Sequence, residues 1–330
     1  MSGCDESHQN RSNNKLEIER NKIKVAVLAG GIGSERDVSI QSGRSVTEAL
    51  HQAGYEVVTS DIRPDFLEIL DDGSIDVFFP ALHGQFGEDG RLQQILEDKS
   101  LLYVGSGPTA SRLAFDKMAG KKIFDRAGVA TPAAVEFGSG SDISLLEERL
   151  RDFPDKYVVK PIRQGSSVGV SIVSTAKEAL RAARETFSEF GDCMIEEFVP
   201  GTEVTVGILH GEALPIIEVR TQSGFYDYHA KYIDEQTEFL FDTITEADVA
   251  ANISRAAIDC FNALGCRHFA RIDFLLSGEK IAYALEANTI PGFTSHSLLP
   301  KAAVKAGLPM SDLCAKIVEA ACSSLARRQA

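Results

Sequence analysis

Long apolar runs are missing from this chain. No stretch approaches the ~18 consecutive apolar residues of a membrane-spanning helix. The polar first 22 residues have no apolar core, so they read as a disordered lead-in rather than a signal peptide. Positive charge is short as well. The 34 Lys and Arg against 48 Asp and Glu give a net charge of −14, which argues against a nucleic-acid surface. A few lysines inside a cleft would still suffice for a phosphate group. Cysteine patterning is absent too. Cys4, Cys193, Cys260, Cys266, Cys314 and Cys322 form no CxxC and no tight pair, and read as free thiols in a reducing cytoplasm.

What is present is a globular balance, 44% apolar and 25% charged over 330 residues, a length for two or three domains. The N-terminal part alternates strand and helix patterns: strands at 24–28, 55–59, 76–80 and 101–104, helices at 38–53 and 92–97. Such alternation predicts a parallel sheet, whose ligands gather at the carboxyl ends of the strands. Two glycine-rich loops lie at such ends, Gly30–Gly33 and His83–Gly90. The first is not a dinucleotide fingerprint, because Arg36 stands where a third glycine would be needed. Glu35 at the helix start would itself occupy an anion site and suits a cationic group such as an ammonium.

The middle of the chain changes character. A Lys-rich helix is expected at 116–127, then a strand at 157–161, a Gly/Ser turn Gln164–Gly169 and a strand to Val173. Strand, small-residue loop, strand is a hairpin whose amides and hydroxyls can fold over phosphate oxygens, with Lys160 and Lys117 as candidate charges. Glu196-Glu197-Phe198-Val199 before Glu203 reads as a strand edge able to read adenine through main-chain groups, with Glu203 for ribose hydroxyls. An aromatic-rich stretch, Phe225 to Tyr232, sits in a long polar loop of the kind that forms lids. Each of these motifs alone also fits an ordinary surface turn or packed cluster.

The most informative segment is Arg271-Ile-Asp273, followed after a short turn by Glu286-Ala-Asn288. Residues two apart on a strand share a face. In register, Asp273, Glu286, Asn288 and Arg271 converge, and three hard oxygen donors suit Mg²⁺ beside a phosphate. The alternative is a solvated hairpin face. In order along the chain, these parts make a phosphoryl-transfer toolkit.

The chain resembles the D-alanine–D-alanine ligases of the ATP-grasp superfamily. The resemblance is carried by Gly30 to Ser39, Leu82 to Gly90, Asp116-Lys117, Lys160 to Gly169, Phe225 to Tyr232, Arg271 to Asp273, and Glu286 to Leu298. It implies an α/β chain, α+β in the nucleotide-binding part: an N-terminal parallel-sheet domain at 23–112, then an ATP-grasp fold in two domains at 113–195 and 196–330. It implies ATP as co-substrate and two Mg²⁺ or Mn²⁺ ions on Asp273, Glu286 and Asn288. Lys117, Lys160, Ser166 and Ser167 would meet the nucleotide phosphates, Glu196, Glu197 and Val199 the adenine, and Glu203 the ribose. Glu35, with His83 nearby, would bind the ammonium of a first D-alanine, while Ser166 and Tyr232 would link to Glu35 and steady the lid. Arg271 and the Gly292 N–H would stabilise an oxyanion. Lys231 would meet the transferring phosphate, and Ser297 with the Leu298 N–H a second substrate's carboxylate. A cytoplasmic homodimer serving peptidoglycan precursor synthesis is implied. Relatives using D-lactate lack the lid motif, which favours an amine nucleophile; the alternatives are the same fold with D-serine or D-lactate as second substrate, or a non-catalytic nucleotide-binding regulator. His229 stands where an acidic residue is frequent, which touches only lid electrostatics.

Overall fold

The computed structural model describes residues 20–221 and 237–329, without the side chains of 324–329. Among the described residues, no helix is long and apolar enough to cross a membrane. They divide into two compact units. One takes the residues up to Pro108, Arg267–Phe269 and those from Ile290 on; the other is Thr109–Cys266 with Ala270–Thr289.

The first unit is built on a three-stranded parallel sheet. β1 (Lys24–Gly30) is central, between β2 (Glu56–Ile62) and β3 (Val77–Pro80). Val25 through Leu28 are wholly buried, as expected of a parallel strand covered on both faces. The helix α1 (Arg36–Gln52) follows β1 and buries Ser39, Ser42, Gly43, Val46, Ala49 and Leu50 along one stripe. Gly43 lets it pack closely, since a Cβ there would run into that of Ala29. α2 (Arg91–Asp98) completes this core with Leu92 and Leu96 beside Leu28, Phe78 and Phe86. Phe79, Phe269 and Phe293 pack together, with ring centroids 5.4 to 6.3 Å apart, and bind three distant segments into one unit. Two expectations are corrected here. The strand at 101–104 reduces to a single parallel bridge, Phe78 to Tyr103, because Ser100 and Gly105 on either side both have positive φ. Arg20, assigned to the lead-in, binds Glu319 at 2.7 Å and lies over the Tyr55 ring; residues 1–19 lie outside the description.

The second unit contains two sheets, each with its own core. A helix not expected from the sequence, α3 (Pro108–Phe115), leads at Asp116 into α4 (Lys117–Arg126), which Asp116 caps through the Ala119 N–H. The four-stranded sheet holds β4 (Ala134–Phe137), β5 (Tyr157–Pro161), β6 (Ser171–Val173) and β7 (Cys193–Glu197) in the antiparallel order β4-β7-β5-β6. α5 (Ile143–Leu150) and α6 (Ala176–Phe190) cover it; α6 begins with a Thr175/Glu178 capping box. The six-stranded sheet contains β8 (Gly201–Leu209), β9 (Glu212–Ala213), β10 (Ile217–Arg220) and β11 (Glu238–Phe241). The helix α7 (Ala247–Leu264) packs on it, and β12 (Phe269–Ser277) and β13 (Ala282–Asn288) end it at one edge. Back in the first unit, α8 (Leu298–Lys305) and α9 (Met310–Gln329) close the chain.

Candidate active site

The β12–β13 hairpin has the register the sequence called for. Arg271 faces Asn288 and Asp273 faces Glu286, so all four share one side of the sheet. A bulge follows Asp273 and leaves that pairing intact. Asp273 is buried, clasped by Arg271 through two bonds of 2.8 and 2.7 Å, and it accepts a third from the Thr205 hydroxyl at 2.6 Å. Glu286 lies 3.0 Å from the Lys117 ammonium, which also donates to the Gln164 carbonyl at 2.6 Å. Each carboxylate thus has a basic side chain beside it.

This face opens on a cavity of about 330 Å³ lined from both sheets of the second unit. Lys117, Lys160, Ser167, Glu196, Glu197, Val199, Glu203, Asp273 and Glu286 all line it, so nearly every nucleotide residue inferred above borders one space. Its wall holds a buried charge cluster. Glu196 is paired with Lys121 at 2.5 Å and Lys160 at 2.7 Å, and Lys121 donates to the Pro132 carbonyl at 2.7 Å. Burial alone would raise the Glu196 pKa; the two lysines more than offset it and hold the carboxyl below its usual range. Burial pushes the Lys121 ammonium down to about 8, against the pull of Glu196. Glu197 accepts the Ala133 N–H at 2.8 Å. The Gln164–Gly169 turn joins antiparallel β5 and β6 as a hairpin, with Ser166 and Ser167 both at positive φ (53° and 58°). Left-handed non-glycine residues of this kind concentrate at functional turns.

The remaining inferred residues of known position belong to the first unit. Glu35 is the N-cap of α1, and its carboxylate lies against the Cα of Gly84, where φ is +70° and a side chain would collide with it. Glu88 accepts the Gly84 N–H at 2.8 Å and so shapes the loop. His83 is 5% exposed; its amide donates to Ser39 Oγ at 2.9 Å, and its ring meets Ser42 and the Ile290 carbonyl. Ser297 precedes α8, so the Leu298 N–H stands at a helix start, where donors await an anion. The Ser297 hydroxyl accepts the Thr294 N–H at 3.0 Å and lies against Gly292, where a Cβ would crowd it. Lys231 and Tyr232 lie outside the described residues.

Sequence reasoning missed Ser39, Ser42, Lys121 and Thr205. The two serines had a signal: polar residues on the inward stripe of an amphipathic helix directly after Glu35. Lys121 falls one turn beyond Lys117 on α4 and had none, because its partner Glu196 is distant in sequence.

A family model described as the D-ala D-ala ligase C-terminus matches residues 134–319, and one described as the D-ala D-ala ligase N-terminus matches residues 66–106. The D-alanine–D-alanine ligase of Syntrophotalea carbinolica is 42% identical over 298 residues, 90% of this chain and 96% of its own. Among solved structures, the Bacillus anthracis D-alanine–D-alanine ligase complexed with ATP superimposes with a TM-score of 0.80 at 31% identity, covering 93% of this chain and 99% of its own. A D-Ala:D-Ser ligase from Enterococcus faecalis reaches 0.80 at 28% identity, over 91% and 99%. With both parts of its length matched in this way, the chain belongs to the D-alanine–D-alanine ligase family and has its ATP-grasp fold.

Proposed function

We propose that this chain is an ATP-dependent ligase that joins two D-alanines into D-alanyl-D-alanine through a D-alanyl phosphate. The observation that carries the reading is the quartet Arg271, Asp273, Glu286 and Asn288 on one sheet face, with Asp273 and Glu286 lining a cavity that also takes in Lys117 and Lys160. Two carboxylates and an amide oxygen are hard donors and fit Mg²⁺ or Mn²⁺ better than a softer metal. Asp273, Glu286 and Asn288 would hold two such ions, which neutralise charge on the phosphates when bound.

The chemistry follows from the residues. A carboxylate is a poor acyl donor because oxide would have to leave. Attack of the first D-alanine's carboxylate oxygen on the γ-phosphorus of ATP breaks the bond to ADP and forms an acyl phosphate. Lys117, Lys160, Ser166 and Ser167 hold the phosphates, Glu196, Glu197 and Val199 border the adenine, and Glu203 takes the ribose. Glu35, with His83 nearby, receives the first ammonium. Ser297 and the Leu298 N–H hold the second D-alanine's carboxylate, so its amine can attack the acyl carbon. The amine loses a proton, Arg271 and the Gly292 N–H stabilise the oxyanion, and phosphate leaves. Lys231 would meet the transferring phosphate, and Tyr232 with Ser166 would link to Glu35 and steady a lid over the acyl phosphate, which water would otherwise hydrolyse. The scheme keeps three domains, with the separate cores of the two sheets in the second unit supporting the boundary near residue 195. It also keeps a cytoplasmic homodimer supplying peptidoglycan precursors.

Purified protein with ATP, Mg²⁺ and D-alanine should release phosphate in step with dipeptide. Phosphate release that ignores D-alanine would reject the ligase reading. The similarity to a D-Ala:D-Ser ligase calls for D-serine and D-lactate as competing second substrates in the same assay; D-alanine should win.

A further inference from the structure

The ring of His83 and the hydroxyl of Ser42 are buried together in the first unit, Ser42 completely. Buried polar groups need partners, and the bonds between these residues favour one arrangement. His83 Nδ1 lies 3.0 Å from the Ile290 carbonyl, which can only accept, so Nδ1 carries the hydrogen. In a neutral ring Nε2 is then an acceptor, and the Ser42 hydroxyl stands 3.0 Å away as its donor. The Ser42 oxygen in turn accepts the Phe293 N–H at 3.2 Å. The chain of donors reads Phe293 N–H to Ser42 O–H to His83 Nε2, then His83 Nδ1–H to Ile290 O. A doubly protonated ring would break it, since Ser42 would receive two hydrogens and its own would lose its acceptor.

The two ends of this relay grip one turn on either side of Gly292, at the carbonyl of Ile290 and the amide of Phe293. Ser42 Oγ lies 4.0 Å from where a Gly292 Cβ would be. We propose that Ser42 is a positioning residue for the ligation: by holding His83 as the neutral Nδ1–H tautomer, it clamps the Ile290–Phe293 turn from α1 and aims the Gly292 N–H at the oxyanion. The inference rests on the oxyanion role proposed for Gly292. It gives His83 a mechanical task in which both ring nitrogens are engaged within the protein.

The first test is independent of activity. In the full-length protein labelled with ¹⁵N-histidine at neutral pH, with His83 identified through H83Q, the signals should be those of a protonated Nδ1 and a bare Nε2. A protonated Nε2, or a charged or averaging ring, overturns the relay. The second test is kinetic. S42A should lower kcat for dipeptide formation about ten- to a hundred-fold, the scale of a displaced oxyanion donor, with KM for ATP within about twofold of wild type. S42C, which keeps a weak donor and acceptor in the same volume, should recover part of the loss. A folded S42A with wild-type kcat, or with its loss wholly in the KM for ATP, overturns the positioning role. Should S42A fail to fold, S42C and the ring signals decide. Wild-type protein with the expected ring signals but no dipeptide would instead overturn the ligase reading.

Discussion

The two units hold their functional side chains by opposite means. Around the cavity of the second unit the devices are ionic: Asp273 with Arg271, Glu286 with Lys117, and Glu196 between Lys121 and Lys160. Around β1 in the first unit they are neutral and steric: Ser39 and Ser42 on His83, and Gly84 yielding space to Glu35. On the proposed assignment of residues, the difference matches the cargo. A triphosphate presents several charges, and pre-paired ions can exchange partners with it at little desolvation cost. A small amino acid offers one ammonium and one carboxylate, so shape and fixed donors must discriminate.

Substitutions can break this contrast. The largest effect is expected for Glu286→Ala, which removes an oxygen donor and the partner of Lys117. Turnover should fall by about a thousand-fold with secondary structure unchanged, as circular dichroism and phosphate release would report. Wild-type turnover would sink the metal assignment. Next comes Gly84→Ala on the steric side. A side chain there meets the Glu35 carboxylate and needs a left-handed backbone. KM for the first D-alanine should rise about ten- to a hundred-fold with KM for ATP unchanged; an equal rise in both would erase the division of labour.

Glu196→Gln sharpens the ionic side. The Glu196 pKa is lowered on folding, so its stabilising contribution is complete above its ordinary value of 4.5 and is lost as pH falls through the lowered folded value. The wild-type melting temperature should drop over that acid window, and the variant should be less stable at neutral pH with a flatter acid limb. Parallel acid limbs would mean that Glu196 contributes nothing there. The smallest effect is assigned to Thr175→Ala, which removes the capping box that Thr175 forms with Glu178 at the start of α6. It should cost about 1 kcal/mol in denaturant melts and leave kcat alone. A change in kcat would mean the four-stranded sheet transmits strain to the cavity.

The hairpin quartet was legible because a two-residue period and a Ser-Gly-Glu-Lys turn leave one register that buries the apolar face, and β12 and β13 adopt it. β5, α6 and the Gly/Ser hairpin were legible for similar local reasons, as was the fold class. α3, α5 and α8 were not: each is eight residues long and, unlike α2 of the same length, none falls in the strand–helix alternation that marks the N-terminal sheet. The ion pairs were hidden for another reason. Lys121 and Glu196 are brought together by packing α4 near β7, which no local pattern encodes. The same holds for Ser42 and Phe293, one on α1 and the other near the end of the chain.

The aromatic trio of Phe79, Phe269 and Phe293 sets an order of events during synthesis. The sheet that emerges first from the ribosome lacks two of its three anchoring rings until some two hundred further residues have been translated. The second unit, largely the insertion between, has all of its own strands by Asn288. Vectorial folding should therefore finish in the middle of the chain before it finishes at the start, leaving the earliest-made strands to wait for the last-made helices.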